Sequence, residues 1–218
     1  MLERYVHALG THDAGLDAIG VTRERFKDRF PKLATRRMTH LGLLVAAALD
    51  DLSPAPADAV VYASTYAETR ALEDYLDSFP TASPTLFQTS IHPSAVQQAL
   101  IGRQTAIGEF LPLTGRAHLV GAAFQAALLS PAPRVLLCGG EERATWLLDQ
   151  SVASDRSFAF ALALAAEPPG ALARVQLAPV PDKSAAELNV PQFFDALVAR
   201  RPLDLVAAPG LHLSLTWL

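Results

Sequence analysis

The segment Thr105-Ala-Ile-Gly-Glu-Phe-Leu-Pro-Leu-Thr-Gly-Arg-Ala-His-Leu-Val-Gly-Ala-Ala-Phe124 predicts a strand, a tight elbow and a helix rich in small residues. The helix is expected to run over 116–129, and a second strand over 134–138 leads into Gly139-Gly-Glu-Glu142. Strands that alternate with helices of this length indicate an α/β layered sheet with right-handed crossovers between its parallel strands. The simplest architecture is one mixed sheet covered by helices.

The rest of the chain supplies further elements with the same alternation. A continuous apolar run or a period of two predicts strands, and apolar residues three and four apart predict helices. Strands are expected at 59–64, at 158–167, at 173–178 as its hairpin partner across Pro168-Pro-Gly170, and at 203–208 as the last core strand. Helices are expected at 22–37 with a break at Pro31, at 36–52, at 68–79, at 93–101 with a stop at Gly102, and at 192–200. The stretch 80–90 is expected to be an irregular connection, and the whole of 1–218 a single domain.

The composition indicates a globular protein and excludes several kinds of partner. Half of the 218 residues are apolar and 18% are charged, which argues against a wholly disordered chain. A formal net charge of −4 provides no basic stripe, so no nucleic-acid partner is expected. The chain has one cysteine and no run of ~18 apolar residues, so neither an intrachain disulfide nor membrane insertion is expected. The first residues lack the apolar core of a signal peptide, and the expected localisation is cytoplasmic.

No motif for a metal or a cofactor is present. The six histidines are scattered without the paired spacing of metal ligands, so we expect no metal site. The glycine pair at Gly139-Gly-Glu-Glu142 lacks the Lys and Ser or Thr that cradle phosphates, so we expect no bound nucleotide or other cofactor.

Several segments, in their order and spacing, resemble β-ketoacyl synthases of the thiolase superfamily. They are Arg36-Arg-Met38, Val60-Val-Tyr-Ala-Ser64, Ser90-Ile-His-Pro-Ser-Ala-Val-Gln-Gln98, the run from Val135 to Glu142, and Phe158-Ala-Phe-Ala-Leu-Ala-Leu-Ala-Ala-Glu167. The segment 105–124 resembles the region of those condensing enzymes that carries the nucleophilic cysteine. The resemblance implies a thiolase-like half, corresponding to the N-terminal half of a ketosynthase without the second, C-terminal half.

Two departures from the family pattern bear on catalysis. Counting back from Gly121, which matches the helix glycine of the family, places the nucleophile position at Leu113, between Pro112 and Thr114. Leucine cannot ionise or attack a thioester. In Leu203-Asp-Leu-Val-Ala-Ala-Pro-Gly210, which resembles the start of the second half, Pro209 stands where the family has a histidine. We therefore expect a chain that is not itself an enzyme.

The resemblance implies a chain-length-factor-like subunit of the kind found in aryl polyene and xanthomonadin-type pigment synthesis. Such a subunit forms a heterodimer with a full-length β-ketoacyl synthase and lines the floor of its acyl tunnel; an acyl carrier protein is a second expected partner. The strand at 105–111 would pair with the partner. Tunnel and interface candidates are Tyr75, Phe79, Phe87, Gln88, Phe110 and Leu111.

Other interpretations of the same residues stay open. The chain could be a homodimeric scaffold that binds acyl carrier protein, or an acyl-transfer or hydrolytic enzyme that uses Thr114, Ser64 or Cys138. More ordinary roles are a buried small residue for Cys138 and a turn-stabilising one for His92. For other residues the ordinary roles are core packing for Tyr75 and Phe79, a solvated or capping position for Glu141 and Glu142, and a surface pair for Arg36 and Arg37.

Overall fold

The computed structural model describes residues 1–181, 184, 186 and 188–218. Within these residues eight strands form one sheet in the order β3-β2-β4-β5-β1-β6-β8-β7. The strands are β1 (Leu2–Gly15), β2 (Ala59–Ser64), β3 (Glu109–Thr114), β4 (Arg134–Glu141), β5 (Ser157–Ala165), β6 (Ala173–Pro179), β7 (Leu203–Ala208) and β8 (Leu211–Trp217). Strand β2 runs parallel to both β3 and β4, and the other neighbours are antiparallel. The prediction of a mixed α/β sheet is confirmed.

Helices cover both faces of this sheet. They are α1 (Ile19–Arg25), α2 (Lys32–Thr35), α3 (His40–Asp50), α4 (Thr69–Asp77), α5 (Pro84–Ser90), α6 (Ser94–Arg103), α7 (Leu119–Leu129), α8 (Trp146–Asp149) and α9 (Val190–Val198). Helices α3 and α6 pack on one face, and α7 and α9 pack on the other. In the described part of the chain no helix is both long and apolar enough to cross a membrane.

Helix α3 is buried along nearly its whole length. Thr39 begins it, because its side-chain oxygen accepts the N–H of Gly42 and satisfies one of the free donors of the first turn. Every residue from His40 to Leu49 is buried, since the helix lies between the sheet and α6. The alanine-rich middle of α3 allows that close contact on two sides.

Helix α7 lies against the middle of the sheet and also against β7 near its far end. A Cβ on Gly121 would lie 3.0 Å from the carbonyl oxygen of Ala207, which is closer than side-chain carbons normally approach a backbone. Glycine at this position therefore allows β7 to cross α7 at close range. The contact brings β7, at one edge of the sheet, onto the first turn of α7, which follows the predicted elbow.

Several boundaries differ from the sequence predictions. The helix expected at 22–37 is two short helices, α1 and α2, and the one expected at 36–52 begins at His40 and ends at Asp50. The helix expected from 116 begins at Leu119. Gly102 lies inside α6, which ends at Gln104 in a left-handed conformation, so the expected glycine stop is wrong by two residues.

Two strands, β1 and β8, and two helices, α5 and α8, were not predicted. Strand β1 lies between β5 and β6, so the hairpin expected between 158–167 and 173–178 is wrong. Strand β8 follows β7, which is therefore not the last strand and lies at the sheet edge rather than in its core. The stretch expected to be irregular contains α5, which Ser83 caps by accepting the N–H of Leu86 and which has Pro84 in its first turn.

Candidate functional site

The carboxyl ends of β2, β3 and β4 lie at one end of the sheet because these three strands are parallel. The loop that follows β2 leads into α4, and the turn after β3 leads into α7. Strand β4 ends at Glu141, next to Glu142. Ligands bind at this end of parallel strands in many α/β proteins.

Glu141 ties the end of β4 to the loop after β2. Its carboxylate accepts the N–H groups of Thr65 at 2.6 Å and Tyr66 at 3.1 Å, and the hydroxyl of Ser64 at 3.1 Å. Burial raises the pKa of Glu141 to about 7, although these donors act in the opposite direction. The predicted solvated position is wrong for this carboxylate, which is buried and holds loop N–H groups rather than the end of a helix.

Glu142 points to the other face and reaches α3. Its carboxylate accepts the N–H of Leu41 at 3.2 Å, in the first turn of that helix. The side chain is buried, and burial raises its pKa to about 7. The adjacent glutamates do point apart, as expected of neighbours on a strand, but each is inside the protein rather than in solvent.

Two more buried carboxylates fix the start of α4. Glu73 accepts the N–H groups of Thr145 and Leu147 at 2.7–2.9 Å, and these donors lower its pKa despite the opposing effect of burial. Glu68 accepts the N–H of Ala95 at 2.9 Å and contacts Nδ1 of His92 at 3.2 Å. The four glutamates hold the loops at this end in place through backbone donors that are distant in sequence.

His92, for which the ordinary interpretation was a turn-stabilising role, contacts other elements of the protein. Besides Glu68, its ring stacks on Tyr62 with the centroids 5.1 Å apart. The residue precedes α6 and links that helix to the end of β2. It therefore contributes to the support of the site rather than to its open surface.

The junction between β3 and α7 offers no thiol. Leu113 lies within β3 opposite Ala63, and its half-buried side chain packs against the core on the α7 side. Thr114 ends the strand, and residues 115–118 form the turn, with His118 in a left-handed conformation at φ 56°. The elbow thus lies two to five residues after Leu113. The assignment of Leu113 to a former nucleophile position stays a prediction.

The alternative nucleophiles are poorly placed for catalysis. The Thr114 hydroxyl lies 3.5 Å from the carbonyl oxygen of Thr65, and that of Ser64 donates to Glu141. Cys138 is fully buried in β4, and burial raises the pKa of its thiol. Among the hydrogen bonds of the described residues, none joins these three side chains to a histidine. Ser64 has the buried carboxylate of Glu141 beside it, which also holds the N–H groups of Thr65 and Tyr66.

Three of the predicted tunnel residues form an aromatic cluster on α4 and α5. The ring of Tyr75 lies 5.4 Å from those of both Phe79 and Phe87. Phe79 is 56% exposed and Phe87 is 49% exposed, so this pair is not part of the core. Gln88 is exposed beside them. We name Tyr75, Phe79 and Phe87 the aromatic cluster.

The other two predicted tunnel residues lie on β3. Phe110 packs on the α6 side of the sheet and Leu111 on the α7 side, both half-buried. Strand β3 is the last strand at its end of the sheet, with β2 as its partner. The pairing segment expected at 105–111 is therefore shifted, because the strand occupies Glu109–Thr114. Two separate features are thus candidate functional surfaces, this open edge and the aromatic cluster.

Pro209 is exposed in the connection between β7 and β8, followed by Gly210 with φ 73°. It comes two residues after Ala207, which contacts Gly121 in the first turn of α7 after the elbow. The structure places no imidazole at position 209, and the correspondence with a family histidine stays a prediction.

A cleft of about 590 Å³ opens beside the carboxyl ends of the strands. Arginines make up much of its wall, and the buried Glu142 lies among its lining residues. The arginines are Arg23, Arg36, Arg37, Arg70 and Arg143. The loop before α3 and helices α1, α4 and α5 contribute the other sides, so the cleft is bounded by the same elements that the buried glutamates hold together.

Comparison with known proteins finds similarity in structure alone. No family model matches the sequence, and no curated protein matches it. A chain in the solved complex of a ketosynthase (ApeO) with its chain length factor (ApeC) from Xenorhabdus doucetiae superposes with a TM-score of 0.71. The identity is 17%, and the match covers 99% of this chain and 100% of that one. A chain of the ishigamide ketosynthase/chain length factor gives a TM-score of 0.62 at 14% identity, covering 82% of this chain and 68% of that one.

These matches confirm the predicted fold, since the chain superposes on chains from solved ketosynthase and chain length factor structures. The first match covers both chains almost completely, so the fold of these 218 residues corresponds to that of a whole solved chain of similar extent. Because the identities are low, the similarity concerns the fold, and the role of this chain is argued from its own residues below.

Proposed function

We propose that this protein is a non-catalytic, ketosynthase-like subunit that pairs with a full-length β-ketoacyl synthase through the edge of β3. The observation that carries the proposal is the open edge of β3. The fold that contains this edge is shared with a chain from the solved complex of a ketosynthase with its chain length factor. In that role the chain is a chain length factor in aryl polyene or related fatty-acid or polyketide synthesis.

The edge of β3 is suited to strand pairing. An edge strand presents unpaired N–H and C=O groups, which a strand from another protein can satisfy. The half-buried Phe110 and Leu111, on opposite faces of the sheet, would both lose solvent contact when a neighbouring strand is added. Such burial is favourable at roughly 25 cal/mol per Å² of apolar surface.

The aromatic cluster supports a role in limiting chain length. Exposed phenylalanine side chains leave apolar surface in water, and contiguous apolar surface of this kind marks binding sites. In the proposed complex the aromatic cluster and Gln88 face the acyl tunnel of the ketosynthase, where an acyl chain stops growing when it meets them. One methylene too many costs about 1–3 kcal/mol in a filled pocket, enough to discriminate between successive chain lengths.

The arginine-lined cleft supports an acyl carrier protein as a second partner. Arg36 and Arg37 are both exposed at this cleft together with Arg143. A cluster of guanidinium groups attracts an acidic surface and increases its rate of association. We expect the carrier to dock here in the assembled complex.

The absence of a placed nucleophile supports a non-catalytic role. The junction between β3 and α7 holds Leu113, Thr114 and the turn 115–118, and the single cysteine is buried in β4. The partner therefore supplies the condensation chemistry in the proposed complex.

The first test is co-expression with a full-length ketosynthase encoded beside this chain, followed by size exclusion with light scattering. We expect a one-to-one complex with condensing activity that the ketosynthase alone lacks. A stable homodimer that ignores the ketosynthase and binds acyl carrier protein contradicts the proposal and favours the scaffold interpretation.

The second test is product length. Phe79→Ala and Phe87→Ala should each leave the complex intact and shift its products to longer chains, since they remove the barrier. Leu33→Ala is the control, because Leu33 is 76% exposed on α2, outside the aromatic cluster. An unchanged product distribution in both variants would argue against the tunnel role.

A separate variant, Thr114→Ala, tests the alternative that this chain is itself an enzyme. Loss of all turnover in that variant, with the complex intact, would favour the enzyme.

A further inference from the structure

Pro112 occupies an unusual place for a proline, inside a regular strand. It lies within β3 opposite Tyr62, with paired residues on both sides of it from Glu109 to Thr114. The register between β2 and β3 continues through it without a shift. Proline has no N–H, so in a sheet it is found where its nitrogen does not face a neighbouring strand.

The orientation of Pro112 follows from this register. Strand β2 is the neighbour of β3, and the continuous pairing with it shows that the proline nitrogen does not interrupt that ladder. Alternate residues of a strand direct their N–H groups to opposite sides. The nitrogen of Pro112 therefore faces the open edge, where a pairing strand would otherwise receive a donor.

The missing donor has unequal effects on two kinds of pairing. A dimer of two identical chains through β3 is symmetric, so both strands bring Pro112 and the interface lacks two donors. A pair with a different protein whose strand carries no proline lacks only one. The exposed ring of Pro112 also adds its bulk once in the mixed pair and twice in the symmetric pair.

We infer that Pro112 makes the β3 edge selective: it disfavours pairing with a second copy of this chain and leaves the edge available for the strand of a different protein. Proline on an edge strand is one of the known means of preventing unwanted strand pairing. The inference rests on the proposed pairing through β3, and it adds a residue that sets the choice of partner.

The test is self-association of the isolated full chain, measured by sedimentation equilibrium over a range of concentrations. Pro112→Val restores the N–H in a residue with high strand propensity. We expect its homodimer to be about tenfold to a hundredfold tighter than that of the wild type, since two hydrogen bonds are gained per symmetric dimer. Pro112→Ala, which restores the N–H with little side chain, should act in the same direction and serves if the valine variant does not fold.

The matched control is Thr114→Val. Thr114 is exposed on the same strand, two residues from Pro112 and on the same face, and its replacement adds apolar surface without adding an N–H. We expect no change in self-association. Amide hydrogen exchange should show protection of 109–114 in the Pro112→Val dimer relative to its dilute monomer, which places the new contact at β3.

Three results would overturn the inference. They are a Pro112→Val chain that is thermally more stable but no more associated, a wild-type chain that is already a tight homodimer, and a dimer of Pro112→Val without protection of β3. The first would mean that the nitrogen faces β2. Each can occur while the wild type still binds the ketosynthase, so failure of this inference and failure of the proposed function are separate outcomes.

Discussion

Glu142 is a carboxyl group whose burial makes the stability of the protein depend on pH. Burial raises its pKa to about 7; the N–H of Leu41 and the charge of Arg70 lower it, and Asp74 and Glu68 raise it further. In an unfolded chain a glutamate has a pKa of about 4.3. The folded protein therefore binds one proton more than the unfolded protein between about pH 4.5 and 7. The stabilisation from this difference is complete below the unfolded pKa and is lost as the pH rises through 7.

Replacing this carboxyl by an amide should remove that dependence. The free energy of unfolding of Glu142→Gln minus that of the wild type should be about 2–3 kcal/mol larger at pH 8 than at pH 5. The reason is that the amide keeps an acceptor for the N–H of Leu41 but does not ionise. Urea denaturation at the two pH values measures it. Burial lowers the pKa of His40 to about 4, which acts in the opposite direction at pH 4–6.5, but this effect is present in both proteins and cancels in the difference.

The matched control is Glu167→Gln, which changes an exposed carboxyl after β5. Its free energy of unfolding should follow that of the wild type at both pH values. A constant difference between Glu142→Gln and the wild type from pH 5 to pH 8 would show that Glu142 titrates normally in the folded state.

The roles of single residues were predictable where their neighbours in sequence set their surroundings. Cys138 follows the apolar run at 135–137, and that run correctly indicates a buried thiol. Glu141 and Glu142 are different, since adjacent acidic residues are normally in solvent. Their donors come from Thr65, Tyr66 and Leu41, which are 75–101 residues away in sequence, so only the tertiary structure shows why they are buried.

The contact between α7 and β7 depends on a single glycine. At Gly121 an added Cβ would lie 3.0–3.2 Å from three atoms of Ala207, two of them backbone atoms that cannot rotate away. We expect Gly121→Ala to lower the free energy of unfolding by about 1–3 kcal/mol, despite the better helix propensity of alanine. Thermal and urea denaturation measure the change.

A control for this prediction exists in α1. A Cβ on Gly20 would have no atom within 4 Å, so Gly20→Ala should be neutral or slightly stabilising. If both alanine variants have the same stability as the wild type, β7 can move away from α7 without cost, and the close crossing is not a required part of the fold.

Elements were predictable where one periodicity dominated the sequence. Strand β2 matches its predicted bounds because all six residues are buried and form a short apolar run. Strand β1 was missed because Leu-Glu-Arg-Tyr-Val-His-Ala-Leu-Gly-Thr-His-Asp-Ala-Gly mixes polar and apolar residues, although it lies inside the sheet. Arg4 shows how this is possible: its buried guanidinium donates to the carbonyl oxygens of Ser130 and Ala132 at 2.6 and 3.0 Å.

Helix α5 was missed for a local reason. The prolines at 80 and 84 indicated an irregular connection, but Pro84 is at the start of the helix, where its missing N–H costs nothing. The result matters for the candidate site, because α5 carries Phe87 and holds it against Tyr75. The sequence therefore named aromatic residues that lie together in the structure, while misjudging the element that presents one of them; their place at an acyl tunnel stays a prediction.

The whole sheet has two edges, β3 at one end of the strand order and β7 at the other, and each has a neighbouring strand on one side. Helix α7 contacts both of these strands. The order of strands could not be derived from the sequence, since β1 enters between β5 and β6 from the beginning of the chain. The open end of the sheet is thus a property of the assembled molecule, which local patterns do not reveal.

Amide hydrogen exchange over the assembled complex tests which end of the sheet is used. In the isolated chain, the outward N–H groups of β3 have no partner in the sheet and should exchange rapidly, whereas those of β4, which has neighbours on both sides, should exchange slowly. Addition of the ketosynthase should slow exchange at 109–114 by tenfold or more, with little change at 203–208 on the other edge. Protection at 203–208 instead would place the partner on β7. The β3 edge and its Pro112 would then have no part in the choice of partner, and the aromatic cluster would have to be assigned to a different contact.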